Sequence, residues 1–250
     1  MNLLGQDCLI LGCGYVGEKF LQTFPECYFT KRKLIESKEN AIEFDIFNKM
    51  SWQNIIETKN ILWTFPVARE MSERNLATEF FSRYCKNKNV IILSTTSAYV
   101  VENENDMVDE KFPIQLQEAR FYMEEEFRKE GALILHLSGI IGPNRYPKNW
   151  YLQNRVKYGK NVLNYIHVQN IIYCIKELFL HFKAKERFNL TSGDYKTHFD
   201  IAKLLGLTNI FENNELTSGS KKISNQKLLK YLNMESYKFI HYPEDCEKVI

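Results

Sequence analysis

Short apolar runs alternate with segments whose apolar positions recur at helical spacing, and the alternation holds along most of the chain. Residues 8–11 (Cys-Leu-Ile-Leu), 26–30, 42–46, 60–65, 89–94 and 132–137 read as strands, with a later one at 187–191. Between them, residues 15–23, 69–86 and 115–130 read as helices, and 52–58 as a shorter one. In the segment 69–86, Leu76, Phe80, Phe81 and Tyr84 share one face, as an amphipathic helix requires. Further helices are predicted at 150–158, 169–182, 197–205 and 224–231. Strand and helix in strict alternation predict an α/β chain with a doubly wound parallel sheet. No repeat or low-complexity linker interrupts it, so residues 1–250 are predicted to form a single domain. A small C-terminal lobe is drawn mainly from 139–165 and 192–250.

The first strand ends in Gly12, Gly14 and Gly17 at G-x-G-x-x-G spacing, and the first helix starts at once with Tyr15 and Val16. This spacing suits a dinucleotide: Gly12 makes the tight turn, Gly14 lets the backbone approach a pyrophosphate, and Gly17 lets helix and strand pack closely. The N–H groups and positive dipole end of that helix favour phosphate. The sequence therefore predicts an NAD(P)-binding Rossmann fold. After the second strand come Lys31, Arg32 and Lys33, with no acidic residue to accept a ribose 2′-hydroxyl. An Arg at this place suits a 2′-phosphate, so NADP(H) is favoured over NAD(H); the alternative is a solvated basic loop. Asp45, at the end of the third strand, either meets the adenine edge or caps a turn. Pro66, which stops the fourth strand, is placed with the cofactor-binding residues.

Charge and cysteine content narrow the class. The chain has 33 Lys+Arg against 31 Asp+Glu, and no basic stripe emerges, which argues against nucleic acid as a partner. Six scattered cysteines form no C-x-x-C pair, and the histidines show no ligand spacing to them, so a reduced, metal-free cytoplasmic protein is expected. No apolar run is long enough to span a membrane. Residues 10–13 resemble a lipoprotein cleavage box, but no basic segment and no long apolar region precede them, so no signal peptide is predicted.

The fifth strand runs into Ser94-Thr-Thr-Ser-Ala-Tyr99, which looks like the S-S-x-x-V-Y motif of the extended short-chain dehydrogenase/reductase superfamily, the NAD-dependent epimerase/dehydratase group. Other segments resemble it in the same order. Residues 137–145, ending Gly142-Pro-Asn-Arg145, are similar to R-x-x-x-x-Y-G-P-x-R, with Leu137 and Ile141 in place of Arg and Tyr. Asn164-Tyr-Ile-His-Val-Gln-Asn170 is similar to N-x-I-H-V-x-D, ending in Asn. By this resemblance Thr95, four residues before Tyr99, takes the place of the hydroxyl that hydrogen-bonds a substrate oxygen, with Ser94 beside it as a further candidate. Thr96, Gly142, Arg145, Asn164 and His167 fall at substrate-binding positions. For His167 the competing reading is a core or capping histidine, and Tyr99 reads as a packed aromatic.

The resemblance fails at the family's Tyr-x-x-x-Lys. Tyr122 is the only tyrosine in the expected helix, and Glu126 stands four residues after it. If Glu126 is aligned with the glutamate that trails the lysine, Glu118 takes the Tyr position and Tyr122 the Lys position. A carboxylate in the lysine position raises a neighbouring phenol's pKa, the opposite of what a base near neutral pH needs. The chain thus resembles atypical members that lack the pair. What this implies is an NADP(H)-dependent epimerase/dehydratase-like oxidoreductase acting on a small molecule such as a nucleotide sugar, with a homodimer as its assembly. The alternative is a catalytically silent NADP(H)-binding sensor or scaffold.

Overall fold

A computed structural model describes residues 5–34, 38–104, 106–207, 210–211, 217, 220–235 and 238–246. Parts of the expected C-terminal lobe lie outside the described residues. Eleven strands are described: β1 (Cys8–Leu11), β2 (Tyr28–Lys31), β3 (Ala41–Glu43), β4 (Asn60–Trp63), β5 (Asn89–Thr95), β6 (Asp106–Val108), β7 (Leu133–Leu137), β8 (Gly139–Ile141), β9 (Tyr165–His167), β10 (Arg187–Leu190) and β11 (Lys221–Ile223). The helices are α1 (Tyr15–Thr23), α2 (Arg74–Phe80), α3 (Ala119–Lys129), α4 (Pro147–Leu152), α5 (Val168–Leu180), α6 (His198–Leu204) and α7 (Gln226–Leu232).

A seven-stranded parallel sheet has the order β10-β7-β5-β4-β1-β2-β3. Chain direction reverses its march across the sheet at β1: β2 and β3 lie on one side, β4 and the later strands on the other. This is the doubly wound order that the alternation predicts. Register is in phase across the centre, with Leu9 opposite Ile61 and Ile61 opposite Val90. All four residues of β1 and of β4 are buried, because strands covered on both faces lose the inside-outside alternation.

The chain divides into two compact units, one of 1–94, 114–136 and 172–187, the other of 95–113, 137–171 and 188–250. In the first, an aromatic group anchors the core: Phe80 meets Trp52, Trp63 and Tyr84 at 5.2, 5.5 and 5.2 Å, and Phe81 stacks on Phe127 at 4.2 Å. The helix expected over 69–86 is a 3₁₀ turn from Met71, then α2, then a π-wound turn over Phe81–Cys85. Phe80 and Phe81, on either side of the change in winding, are both buried. The helix expected at 52–58 is instead a 3₁₀ turn over Lys49–Asn54, held by the Asn48 side chain on Met50 N and by Trp52 Nε1 donating to the Ile46 carbonyl.

The second unit carries two short parallel pairs, β6 with β11 and β8 with β9, which the hydrophobic pattern does not predict. Its core gathers Ile141, Tyr151, Leu163, Tyr165, Ile201 and Tyr242. The helix expected at 150–158 is α4, which starts earlier at Pro147, where a proline suits a helix N-terminus. Helix α6 has a complete capping box, Thr197 with Asp200. Among the described residues no helix is long and apolar enough to cross a membrane, and no group of three or more His, Cys, Asp or Glu is arranged to hold a metal.

Candidate functional site

The glycine turn at the end of β1 is fixed from both sides by threonines. Gly12 N–H donates to Thr30 Oγ1 at 2.8 Å, and the Thr64 hydroxyl donates to the Gly12 carbonyl. Cys13 N–H donates to the Thr30 carbonyl at 3.0 Å. Gly12 has φ +84°, and a Cβ there would lie 2.6 Å from the Phe65 ring. At Gly17 a Cβ would lie 2.8 Å from the Gly12 carbonyl oxygen, so only glycine lets α1 sit this close to β1. A Cβ at Gly14 would meet nothing within 4 Å. The space over Gly14 is therefore open.

That space opens into a cleft of about 450 Å³ lined by residues that follow β1, β2, β3 and β4. From the predicted set, Gly12, Gly14, Lys31, Arg32, Asp45 and Pro66 line it. Tyr15, Val16 and Gly17 do not: they form the first turn of α1, with Val16 buried. Lys33, Phe47, Phe65 and Arg69 also line the cleft, and their signal in the sequence is only that they follow strand ends. Four cations thus face one carboxylate. Lys31 is shared with Glu18 at 3.2 Å, both half exposed. Among the described residues neither Arg32 nor Lys33 has an ion-pair partner. Asp45 Oδ1 accepts the Phe47 N–H at 3.0 Å, so the residue caps a turn and lines the cleft as well. Cys13 lines the cleft with its thiol pushed up to about 11 by burial, against the pull of Lys31, and is a neutral wall rather than a nucleophile.

In the first unit the predicted helix residues take unexpected places. Ser94 is buried and donates to Glu124 Oε2 at 2.5 Å, while Arg120 Nε donates to Glu124 Oε1 at 2.7 Å. Glu124 is 3% exposed, and burial raises its pKa against the pull of Arg120 and Ser94. The buried glutamate of α3 is therefore Glu124. Glu126, used above to set the register of this helix, is partly exposed and pairs with Lys129 at 2.8 Å. Arg120 also donates to the Leu93 carbonyl at 3.2 Å, so Arg120 and Glu124 together tie α3 to the end of β5. Tyr122 itself packs against the aromatic core, with the Arg74 guanidinium 5.1 Å above its ring.

In the second unit the hydroxyl turn is a single 3₁₀ turn over Thr96–Ala98 with Thr95 as its cap. Thr95 Oγ1 accepts the Ser97 N–H and hydroxyl, each at 3.2 Å, and Thr96 is buried. Tyr99 is buried and donates to Asn189 Oδ1 at 2.6 Å, a packed aromatic as its sequence context suggests. Gly142 (φ +149°) and Asn144 (φ +66°) make a tight turn closed by Arg145 N–H on the Gly142 carbonyl at 2.8 Å. Asn164 is spent on structure: its amide donates to the Lys221 carbonyl at 2.7 Å and accepts Ile223 N–H at 2.9 Å, tying the chain to β11. His167 Nδ1 accepts the Gln169 N–H at 3.3 Å, and burial lowers its pKa, so it is a neutral capping histidine.

No family model and no curated protein matches the chain. Solved structures do match. UDP-N-acetylglucosamine 4-epimerase from Bacillus cereus superposes with a TM-score of 0.72 over 97% of both chains at 13% identity. ADP-L-glycero-D-manno-heptose-6-epimerase from Helicobacter pylori gives 0.70 at 14% identity, covering 96% of this chain and 93% of its own. The dTDP-glucose 4,6-dehydratase from Bacillus anthracis, solved with NAD, gives 0.68 at 18% identity over 91% and 90%. At such identities the resemblance read from the motifs is borne out at the level of fold. The chain is built on the Rossmann fold of these epimerase and dehydratase structures, with a glycine-lined, cationic cleft at the carboxyl ends of its central strands.

Proposed function

We propose that the chain binds NADP(H) in this cleft and acts as an epimerase/dehydratase-like oxidoreductase on a nucleotide sugar or a similar hydroxyl or keto substrate. The observation that carries the reading is the pairing of an open Gly14 with Lys31, Arg32, Lys33 and Arg69 around one cleft. The residues fit a phosphorylated dinucleotide: Gly12 and Gly14 admit the pyrophosphate, and Arg32 and Lys33 offer charge-assisted donors to a 2′-phosphate. When bound, a nicotinamide supplies the hydride acceptor or donor. Thr95, by the motif resemblance, holds and polarises the substrate oxygen. With no Tyr-x-x-x-Lys, the loss of one positioned proton-transfer group lowers the rate by about 10²–10⁴ relative to enzymes that have it.

A second reading, an NADP(H)-binding sensor without turnover, is favoured by the Tyr122 ring being packed into the core under Arg74. One experiment separates the two. NADPH and NADH are titrated against wild type and Arg32→Ala, and the loaded protein is then screened with nucleotide sugars for single-turnover hydride exchange. Wild type should prefer NADPH roughly ten- to a hundredfold, from about 1.5–3 kcal/mol of charge-assisted hydrogen bonding, and Arg32→Ala should lose that preference. Equal affinities in wild type would remove the NADP(H) assignment. Tight NADPH binding with no exchange on any nucleotide sugar would leave the sensor.

A further inference from the structure

At the amino end of the central strands, away from the cleft, the chain brings two cysteines together. β1 and β2 run parallel with Leu9 opposite Tyr28 and Ile10 opposite Phe29, so one step back along both segments Cys8 stands opposite Cys27. Residues opposed across such a ladder point to the same face and lie about 4.8 Å apart, inside the roughly 4.4–6.8 Å between Cα atoms that a disulfide spans. Both are unbridged thiols, 0% exposed. Contact with the Cys27 sulfur, and then burial, pushes the Cys8 thiol up, so it rests protonated. Exposed chain is close to each: Asp7, just before Cys8, and Pro25, two residues before Cys27, are exposed. Cys13, Cys85 and Cys174 lie elsewhere, after β1, in the π-wound turn and in α5.

We propose that Cys8 and Cys27 are an oxidation site, where a peroxide makes a disulfide that staples the start of β1 to the chain entering β2. In the first step the Cys27 sulfur, beside the exposed turn, bonds to one peroxide oxygen; the O–O bond breaks, and the leaving hydroxide takes the thiol proton and departs as water. In the second, the Cys8 sulfur attacks the sulfenic sulfur of Cys27; the S–S bond forms, the S–O bond breaks, and the oxygen leaves as water with the Cys8 proton. Two thiols give up two electrons, and one peroxide becomes two waters. A buried, protonated thiol is a poor nucleophile, so the oxidation is slow. The loop that the bond closes holds Gly12, Gly14, Gly17 and the whole of α1. Joining its ends takes freedom from the unfolded chain and so stabilises the folded one. Neither cysteine lines the cleft, so the staple secures the glycine turn from outside it.

The test uses the full chain carrying Cys13→Ala, in which the tryptic peptides 1–19 and 20–31 hold one cysteine each. The folded protein is treated with hydrogen peroxide, then unfolded, alkylated without reductant and digested. The two peptides should be recovered joined, lighter by two hydrogens than their sum, and dithiothreitol given before alkylation should separate them. The urea midpoint of the oxidised protein should rise by about 1 M and return on reduction. Cys27→Ala in the same background should show neither the link nor the rise. Peptides recovered apart, whether alkylated or carrying sulfinic acid, would overturn the proposal. So would a disulfide from either cysteine to Cys85, Cys174 or Cys246, or a Cys8–Cys27 link that leaves the urea midpoint where it was. The peptide map reads the parent chain, so the test stands even where Cys27→Ala does not fold.

Discussion

Asp194 shows how one residue's surroundings decide its charge. Burial alone would raise its pKa, but Lys196 Nζ at 2.6 Å, the Tyr165 hydroxyl at 2.9 Å and His241 Nδ1 at 3.9 Å outweigh burial and hold the carboxyl at about 2, against 3.8 when unperturbed. A depressed carboxylate pKa contributes stability that is fully present above the unfolded value and is lost as pH falls through the folded one. Asp194→Asn should therefore cost about 2 kcal/mol at pH 7. In urea titrations between pH 5 and 2, the gap between wild type and variant should close as the pH falls; a gap independent of pH would assign the loss to packing. Nothing in the sequence around Asp194 announces this cluster, because Tyr165, His241 and Glu244 reach it from distant parts of the chain. The same reason hid Glu124. Three consecutive glutamates, 124–126, look alike in sequence, and only the packing of α3 shows that the first is the buried one.

At the scale of elements, the turn between β1 and α1 was the most legible part of the chain, and its glycines separate into distinct physical roles. Gly17 is required by packing, since a Cβ would press on the Gly12 carbonyl at 2.8 Å and on Ile10 Cγ2 at 3.1 Å. Gly14 has φ −90° and open space, so an alanine there costs the fold little. Gly17→Ala should lower stability by about 1–3 kcal/mol, as overpacking does. Gly14→Ala should melt with wild type yet bind NADPH at least tenfold more weakly, because the methyl group fills the approach to the backbone. Melting curves and cofactor titrations of the two variants check this, and a Gly14→Ala protein with unchanged affinity would show that the ligand does not lie over this glycine. Elements without such local chemistry were less legible. The strands β6, β8, β9 and β11 have three residues each and pair with partners remote in sequence, too short for periodicity to register. Helix ends shifted where side chains intervened, as Pro147 and the Trp52 anchor did.

At the scale of the whole molecule, strand order followed from strict alternation, but the assignment of segments to a folding unit did not. Every residue lining the cleft falls between Gly12 and Arg69, which makes residues 1–94 look like a complete nucleotide module. The core beneath the cleft says otherwise. Met123, Phe127, Ala132 and Ile134 belong to the same buried cluster as Leu9, Trp63 and Phe80, and Phe81 has its stacking partner in Phe127. Cutting the chain after Ser94 also removes β7, the neighbour of β5, and opens a row of unpaired backbone groups at a buried strand. Leaving Met123, Phe127 and Ile134 out of the core forfeits roughly 5–9 kcal/mol at about 1.5–3 kcal/mol per buried side chain. That is comparable with the whole net stability of a domain, about 5–15 kcal/mol. A fragment of residues 1–94 should therefore show no cooperative urea transition, bind a hydrophobic dye, and gain neither order nor affinity when NADPH is added. A sharp transition in that fragment, with NADPH binding near that of the full chain, would mean that the cleft-bearing segment folds without α3 and that the aromatic contacts with Phe127 are dispensable.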